Sequence, residues 1–327
     1  MLSSVGTPVM WAGFAVLVVV ALVVDLVVLK AKGAKKVAFR EALNWSLAWV
    51  ALALLFNAWL WWYVDGTAGR EEANRIAAEF FTGYLIEKSL AVDNIFVFLM
   101  VFTAFGVPVA FQRRVLVLGI IGAIVLRAVM ILLGAWLLAK FHWLLYVFGA
   151  FLLITGVRML FDAEKEPDLE NMAVLKWLRR HLRVTAEYHG ERFTIVRDGV
   201  RWFTPLFVVM ATIAVTDVIF AVDSIPAIFA VTLDPFIVLT SNVFAILGLR
   251  AMYFMLADLA DRFHLLKYGL AFILVFIGIK MILLDIYKIP IGFALAVVFT
   301  VLAVSLVGSL YVTRPGAGKG DGKHPSP

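Results

Sequence analysis

Two short stretches of the sequence carry acids in the same arrangement. In each stretch, an acid is followed six residues later by the Asp of an Ala-Val-Asp triplet, and then by a small polar residue. The residues are Glu87, Asp93 and Asn94 in the first stretch, and Asp217, Asp223 and Ser224 in the second. Both stretches lie in long apolar runs, where a buried carboxylate costs at least about 2.5–3.5 kcal/mol. Acids at such positions usually have a function, so we consider them candidates for a cation site.

The residue types indicate which cation such a site would take. Carboxylate, amide and hydroxyl oxygens suit hard divalent ions such as Mg²⁺, Ca²⁺ and Mn²⁺. Soft ions favour thiolates, and the sequence contains no Cys. We expect Asp93 and Asp223 to be ligands, assisted by Asn94 and Ser224. Glu87 and Asp217 would be further ligands, proton carriers or an access gate. Asp25, an acid in the first apolar run, is added as a seventh candidate although it lies outside the two stretches.

An alternative interpretation is structural. The acids would then only form ion pairs with the cations Lys88, Arg127 and Arg250, which also lie in apolar runs. Because there are five acids and only three cations, some of the acids would remain without an ion-pair partner, which favours a functional role for those acids. Other polar residues in the spans, Thr216, Ser241 and Asn242, could supply further oxygens or join helices by hydrogen bonds.

Helical geometry constrains how the acids can meet. Six residues of a regular helix turn through 600°, so the two acids of each stretch lie about 120° apart. Both could face one site only if the helix were opened between them, which Pro226 would help to do in the second stretch. Without such a break, we expect Asp93 and Asp223 to form the central pair.

The elements that position these residues are membrane-spanning helices. Of the 327 residues, 63% are hydrophobic and 16% charged, with a mean hydropathy of +0.98. A soluble domain is about half apolar and a quarter charged, so the composition predicts an all-α polytopic membrane protein. Segments of about 20 apolar residues give nine predicted spans. They are about 9–29, 42–63, 81–105, 115–138, 142–161, 203–230, 235–257, 265–285 and 290–312.

The distribution of Lys and Arg predicts the orientation. With the N-terminus outside, the inside connections hold twenty-one Lys and Arg residues and the outside connections only four. Because cytoplasmic loops are enriched in these residues, we expect a periplasmic N-terminus and a cytoplasmic C-terminus in a cell inner membrane.

The two halves of the chain resemble each other. The acidic stretches match at an offset of 130 residues, and later positions, such as Gly156 with Gly278, match at 122. Spans 3–5 would then recur as spans 6–8 with inverted topology, as in transporters that bind substrate between two such halves. We divide the chain into a two-span segment (1–80), a first repeat (81–161), a cytoplasmic connection (162–202), a second repeat (203–286), and a last span with its tail (287–327).

Three features outside the spans are also predicted. In the connection, residues 175–183 are typical of a basic amphipathic helix lying on anionic lipid headgroups. Residues 193–203 contain an Asp-Gly pair between two apolar runs, which predicts a β-hairpin. The tail from Pro315 is rich in Gly, Lys and Pro, which is typical of a disordered segment.

The sequence resembles the TerC family of membrane proteins, and within it the Alx branch. The resemblance covers almost the whole chain, and four segments carry it: Gly83–Phe96, Gln112–Val117, Phe220–Phe229 and Asp234–Phe254. It implies export of manganese from the cytoplasm, which protects cells when Mn²⁺ accumulates, particularly at alkaline pH. The intramembrane acids of the family fall here on Glu87, Asp93, Asp217 and Asp223.

The family name refers to tellurite resistance, and members are also described as redox modulators. The sequence has no Cys, no nucleotide-binding fingerprint and no haem-ligand pattern, so it contains no signal of bound redox chemistry. No nucleophile and base stand beside the acids as an enzyme would need. We therefore predict a manganese exporter, coupled to protons, that is not an enzyme, has no tightly bound cofactor and binds no nucleic acid. The alternatives are a Ca²⁺ carrier, and a stress-response or assembly factor without transport activity.

Overall fold

The computed structural model describes residues 4–30, 39–162, 180–197, 199–256, 264–287 and 289–312, and there the chain is almost entirely helical. The helices are α1 (Pro8–Lys30), α2 (Phe39–Ala68), α3 (Arg70–Ala104), α4 (Val109–Lys140), α5 (Leu144–Asp162), α6 (Pro205–Phe229), α7 (Pro235–Ile246), α8 (Leu249–Leu256), α9 (His264–Ile282) and α10 (Ile291–Val312). Two four-residue strands, β1 (Thr194–Arg197) and β2 (Val200–Phe203), lie between α5 and α6. The all-α prediction is confirmed.

Eight helical segments among the described residues are long and apolar enough to cross a membrane. They correspond to eight of the nine predicted spans, with α7 and α8 together forming the segment Pro235–Met255. The remaining predicted span, 81–105, is not among them because α3 carries Glu87, Lys88 and Asp93 close together. The same charges that make this helix chemically interesting thus lower its hydropathy.

Helix α3 is 35 residues long and begins eleven residues before the predicted span. At 1.5 Å per residue it extends about 52 Å, which exceeds the roughly 30 Å of a hydrocarbon core. Its first turns are amphipathic: Ala73, Ile76 and Phe80 are buried on one face, while Glu71 is exposed on another. Because this face packs on α2, the helix continues where hydropathy alone predicts a loop.

The segment formed by α7 and α8 runs through the interior of the protein, and residues 236–253 are all buried. Aromatic rings from α1, α2 and α3 surround Phe236 and Phe244 on α7. The segment is interrupted at Leu247 and Gly248, where Gly248 has a φ of +83°. Only glycine adopts this conformation without strain, and a Cβ here would also lie 2.6 Å from the Trp49 ring.

The two helices that carry the acidic stretches are continuous. Both α3 and α6 keep helical structure through their acids, and Pro226 lies within α6 without interrupting it. The opening that would have let both acids of a stretch face one site is therefore not present. The interrupted segment is instead the one formed by α7 and α8.

Helices α5 and α9 pack closely along their lengths through glycines. A Cβ added to Gly156 on α5 would lie 2.8 Å from both the Ala271 carbonyl oxygen and the Val275 amide nitrogen. A Cβ added to Gly278 on α9 would lie 2.8 Å from the Gly149 oxygen and 2.7 Å from the Leu153 nitrogen. Since the neighbouring atoms belong to backbone, there is no room for a larger residue at either position.

The predicted β-hairpin is confirmed. β1 and β2 pair antiparallel with Arg197 opposite Val200, and Gly199 in the turn has a φ of +71°. Nearby, the Tyr188 hydroxyl donates a hydrogen bond of 2.7 Å to the carbonyl oxygen of Phe105, at the end of α3. Most of the predicted amphipathic helix 175–183, and all of the tail from Pro315, lie outside the described residues.

Candidate cation site

The structure brings one acid from each stretch to a single arginine. Glu87 on α3 and Asp217 on α6 both pair with Arg127 on α4. The ion pair with Glu87 is close, and Asp217 Oδ1 lies 3.6 Å from Arg127 Nη2. All three side chains are buried, Arg127 at 1% and Glu87 at 0% exposure. We call Arg127, Glu87, Asp217, Ser224 and Asn242 the arginine cluster.

Neutral oxygens complete this cluster. Arg127 Nη1 lies 3.4 Å from Ser224 Oγ on α6 and 3.4 Å from Asn242 Oδ1 on α7. Asn242 also donates through Nδ2 to Glu87 Oε2 at 3.1 Å. Four helices therefore meet here, each supplying at least one polar side chain to a site that is otherwise surrounded by apolar residues.

A cavity of about 280 Å³ adjoins the arginine cluster. Its polar lining comes from Asn94, Arg127, Thr155, Arg158, Asp223 and Ser224. The Asp223 carboxyl and the Thr155 hydroxyl of α5 interact through a side-chain hydrogen bond. The remaining lining residues are apolar: Leu90, Met159, Phe220 and Leu274. We call this space the Asp223 cavity.

Asn94 is the most informative residue of the Asp223 cavity. It is 2% exposed, and its Oδ1 atom has no hydrogen-bond partner among the described residues. Leaving a buried amide oxygen unsatisfied costs about 1–3 kcal/mol, and such atoms in native structures call for an explanation. Since Asn94 lines a cavity that also contains a carboxylate, its amide oxygen is a candidate ligand for a cation.

The other predicted residues are distributed as follows. Asp93 lies on α3 next to Asn94, but its side chain is outside the described part of the structure. Asp25 on α1 pairs with Arg250 on α8, with Oδ1 2.6 Å from Nη2, and does not line the Asp223 cavity. Thr216 and Ser241 donate to carbonyl oxygens of their own helices, Thr212 and Val238.

The third intramembrane cation, Lys88, lies at the interruption between α7 and α8. Its Nζ is 3.1 Å from the Ala245 oxygen and 3.3 Å from the Leu247 oxygen. The end of a helix leaves carbonyl groups without intrahelical partners, so the ammonium stabilises the interruption. Lys88 therefore has a structural role beside the arginine cluster.

Sequence reasoning missed Thr155. It lies in the middle of the fifth span, where a polar residue between Ile154 and Gly156 was the only available signal. Asn242 was considered only as an additional oxygen, whereas the structure places it in contact with both Arg127 and Glu87.

Among the side chains that the structure describes, no three His, Cys, Asp or Glu residues form a metal-binding group. A cation at Asp223 would therefore be held by one described carboxylate together with amide and hydroxyl oxygens. Asn94, Thr155 and Ser224 provide such oxygens, and hard divalent ions accept them.

Comparison with known proteins agrees with this membrane architecture. The family model described as "Integral membrane protein TerC family" matches residues 72–317. The chain belongs to the TerC family. This TerC protein is 57% identical over 313 residues to the "Putative membrane-bound redox modulator Alx" of Salmonella typhi, covering 96% of this chain and 97% of that protein.

Two further relatives are similar to this chain over almost the same length. The protein of the same name from Escherichia coli (strain K12) is 56% identical over 311 residues, which cover 95% of this TerC protein and 97% of the relative. The "Uncharacterized membrane protein STKORF319" of Myxococcus xanthus is 48% identical over 311 residues, or 95% of each chain. No solved structure matches.

Proposed function

We propose that this TerC protein exports divalent manganese from the cytoplasm through its intramembrane carboxylates, in exchange for protons. The distribution of Lys and Arg supports a periplasmic N-terminus and a cytoplasmic C-terminus in the inner membrane. The choice of manganese rests on the family resemblance, and the choice of a hard divalent ion rests on the oxygen side chains of the site.

The observation that carries the proposal is the Asp223 cavity. Asp223 and the side chain of Asn94 line the same space, next to two more carboxylates in the arginine cluster, and the buried Oδ1 atom of Asn94 has no hydrogen-bond partner among the described residues. Polar groups in hydrocarbon are costly and mark ion pathways. Empty cavities without a function are lined by apolar side chains, whereas this one also contains a carboxyl, an amide and hydroxyl groups.

Each acid has a proposed role. Asp223 binds the ion in the cavity, with Asn94 and Ser224 supplying neutral oxygens, and Asp93, which directly precedes Asn94 in α3, completes the ligand set. Glu87 and Asp217 bind the ion in a later step or carry protons. Asp25 pairs with Arg250 and does not line the cavity, so we leave it out of the transport site.

The nine-span architecture with an inverted repeat is part of the proposal. At the offset of 122 residues, Gly156 corresponds to Gly278, Gly149 to Ala271, and Leu153 to Val275. Gly156 approaches Ala271 and Val275, whereas Gly278 approaches Gly149 and Leu153. Such exchange of partners between equivalent positions is what a two-fold axis produces. It supports an axis between α5 and α9.

A second candidate function is a membrane assembly or stress-response factor in which the acids only join helices. The ion pairs of Arg127 with Glu87 and Asp217, and of Arg250 with Asp25, favour it, since they connect α3, α4, α6, α1 and α8. It gives no reason for the unsatisfied oxygen of Asn94 in the Asp223 cavity. We therefore prefer transport, without catalysis and without a tightly bound cofactor.

Transport in proteoliposomes tests the proposal. Inside-out vesicles should accumulate Mn²⁺ in the lumen, faster when a proton gradient is imposed, and Asp223→Asn should abolish uptake while the protein remains folded. Asp65→Asn is the matched control. It makes the same Asp-to-Asn substitution on the outer part of α2, where Asp65 forms an exposed ion pair with Arg70. Folded wild-type protein that gives no uptake above empty vesicles would exclude autonomous manganese transport.

Competition between Mn²⁺ and Ca²⁺ distinguishes a manganese exporter from a Ca²⁺ carrier. Oxygen ligands alone do not separate hard divalent ions sharply, so Ca²⁺ is added to the Mn²⁺ uptake assay at equal and at hundredfold concentration. A manganese exporter should lose little uptake at equal concentration. Complete inhibition at equal Ca²⁺, together with accumulation of Ca²⁺ itself, would favour the alternative.

A further inference from the structure

The guanidinium of Arg127 occupies a position that resembles a cation-binding site. Its polar contacts are oxygens of two carboxylates, one hydroxyl and one amide, from Glu87, Asp217, Ser224 and Asn242. These are the ligand types that hard divalent ions prefer. The arginine cluster can therefore hold either a guanidinium or a metal ion, using the same oxygen atoms.

Most contacts of Arg127 are long. Three of its four polar contacts measure 3.4–3.6 Å, whereas hydrogen bonds from N–H to oxygen usually measure 2.7–3.2 Å. Arg127 Nε, Glu87 Oε1 and Asp217 Oδ2 have no hydrogen-bond partner among the described residues, so the contact of Glu87 Oε1 with the guanidinium is an ion pair and not an aligned hydrogen bond. Apart from its close pair with Glu87, the guanidinium is thus held loosely.

There is space next to the guanidinium. Arg127 itself lines the Asp223 cavity, so this cavity is the space towards which its side chain would move on leaving Asp217. The same cavity is where the proposed transport site binds its ion. An ion that moves from Asp223 towards Asp217 would therefore approach the guanidinium directly.

Simultaneous occupancy is electrostatically unfavourable. A divalent ion and a guanidinium within a few ångströms repel each other strongly in an environment of low dielectric constant. With Arg127 alone, the two carboxylates keep a net charge of −1, and with a divalent ion alone the charge is balanced. Each state is acceptable by itself, whereas the doubly occupied state carries excess positive charge.

We propose that Arg127 is a resident cation that competes with the transported metal ion for Glu87 and Asp217, so that the two occupy the arginine cluster in turn. The inference rests on the proposed function and adds a mechanism of release. When the metal leaves, the guanidinium returns to the carboxylates and prevents rebinding. Arg127 is thus a positioning residue that sets both affinity and turnover.

Binding and transport of Mn²⁺ by purified protein test this competition. The free ion is measured by electron paramagnetic resonance during titration, and transport is measured in proteoliposomes. Arg127→Met should lower the Kd for Mn²⁺ at least tenfold, because the competitor is gone, and should slow turnover, because release is no longer assisted. Arg250→Met is the matched control: it removes an equally intramembrane arginine that pairs with Asp25 instead. It should leave the Kd unchanged.

A second variant covers the case in which Arg127→Met does not fold. Arg127→Lys keeps a cation beside Glu87, but an ammonium lacks the planar fork that reaches two carboxylates. Its Kd should lie below that of the wild type and its turnover between those of the wild type and the Met variant. An unchanged or higher Kd in the folded variants would overturn the competition.

The outcomes separate the two proposals. Wild-type uptake combined with an unchanged Kd in both Arg127 variants would leave manganese export standing and exclude the resident cation. Wild-type binding with a lowered Kd in the variants, but without uptake, would support the competition and exclude export. Wild-type protein that binds no Mn²⁺ would exclude both.

Discussion

Arg127 forms its one close ion pair with Glu87, although Asp217 faces the same guanidinium at 3.6 Å. The two acids occupy equivalent places in the acidic stretches, yet their interactions with the arginine differ. Glu87 also accepts a hydrogen bond from Asn242, which holds it in place. The arginine cluster is therefore asymmetric, with a fixed carboxylate on α3 and a less constrained one on α6.

This asymmetry should be visible in stability. Glu87→Gln leaves Arg127 as a buried cation without its close partner, and breaking such a pair costs about 3–5 kcal/mol. Asp217→Asn removes a long contact and should cost about 1 kcal/mol. Thermal unfolding of detergent-solubilised variants, followed by tryptophan fluorescence, gives the comparison. Equal destabilisation by the two substitutions would contradict the asymmetry.

The glycine contacts between α5 and α9 predict a steric effect. Gly156→Ala places a methyl group 2.8 Å from backbone atoms of Ala271 and Val275, and overpacking of this kind costs about 1–3 kcal/mol. Gly122→Ala on α4 is the matched control, since nothing lies within 4 Å of its added Cβ. Alanine favours helix by up to about 1 kcal/mol over glycine, so the control should keep or raise the melting temperature.

The Asp223 cavity predicts a labelling pattern. Because the sequence has no Cys, any reaction with a thiol reagent comes from the introduced residue. Thr155→Cys should react with a small hydrophilic methanethiosulfonate reagent, and Mn²⁺ should slow the reaction. Ile154→Cys is the comparison, because Ile154 is 66% exposed on the outer surface of the helices, in a span expected to face lipid. Reaction of Thr155→Cys at the same rate with and without Mn²⁺ would argue against an ion in the cavity.

Tyr188 predicts a dependence on alkaline pH. Partial burial raises the pKa of the Tyr188 phenol above its ordinary value of about 10. Its hydrogen bond to the Phe105 oxygen, worth about 0.5–1.5 kcal/mol, is therefore fully present below pH 10 and is lost as the pH rises through the folded-state pKa. Tyr188→Phe should lower stability by a constant amount between pH 7 and 9.

A thermal-unfolding series from pH 7 to 12 checks this prediction. The difference between wild type and Tyr188→Phe should shrink only above pH 10. A difference that disappears already near pH 8 would mean that the phenol ionises earlier than its burial implies.

Much of this fold was predictable because membrane helices follow simple rules of length and hydropathy. Eight predicted spans correspond to helices in the structure, and the Asp-Gly turn correctly predicted the hairpin. The pairing of Arg127 and Arg250 with the acids was predictable as an alternative, since charges in apolar runs require partners. For the same reason, it was predictable that Asp223 would lie near other polar side chains.

The remaining features depend on tertiary contacts that periodicity does not encode. The interruption at Gly248 depends on Lys88, whose ammonium bonds to carbonyl oxygens 157 and 159 residues away. The extra turns of α3 depend on packing against α2. The proximity of Glu87 to Asp217 could not be predicted, because it depends on how α3, α4 and α6 cross, which no local sequence pattern specifies. Thr155 became significant only through its proximity to Asp223.

The close backbone contacts at Gly156 and Gly278 restrict how the protein can change shape. Because neither α5 nor α9 can slide past the other without collision, we expect the two helices to move together as one rigid pair. Thr155 on α5 and Leu274 on α9 belong to this pair, and they line the Asp223 cavity together with residues of α6. Any movement of this pair against α6 would therefore change the separation of Thr155 from Asp223 and with it the width of the Asp223 cavity.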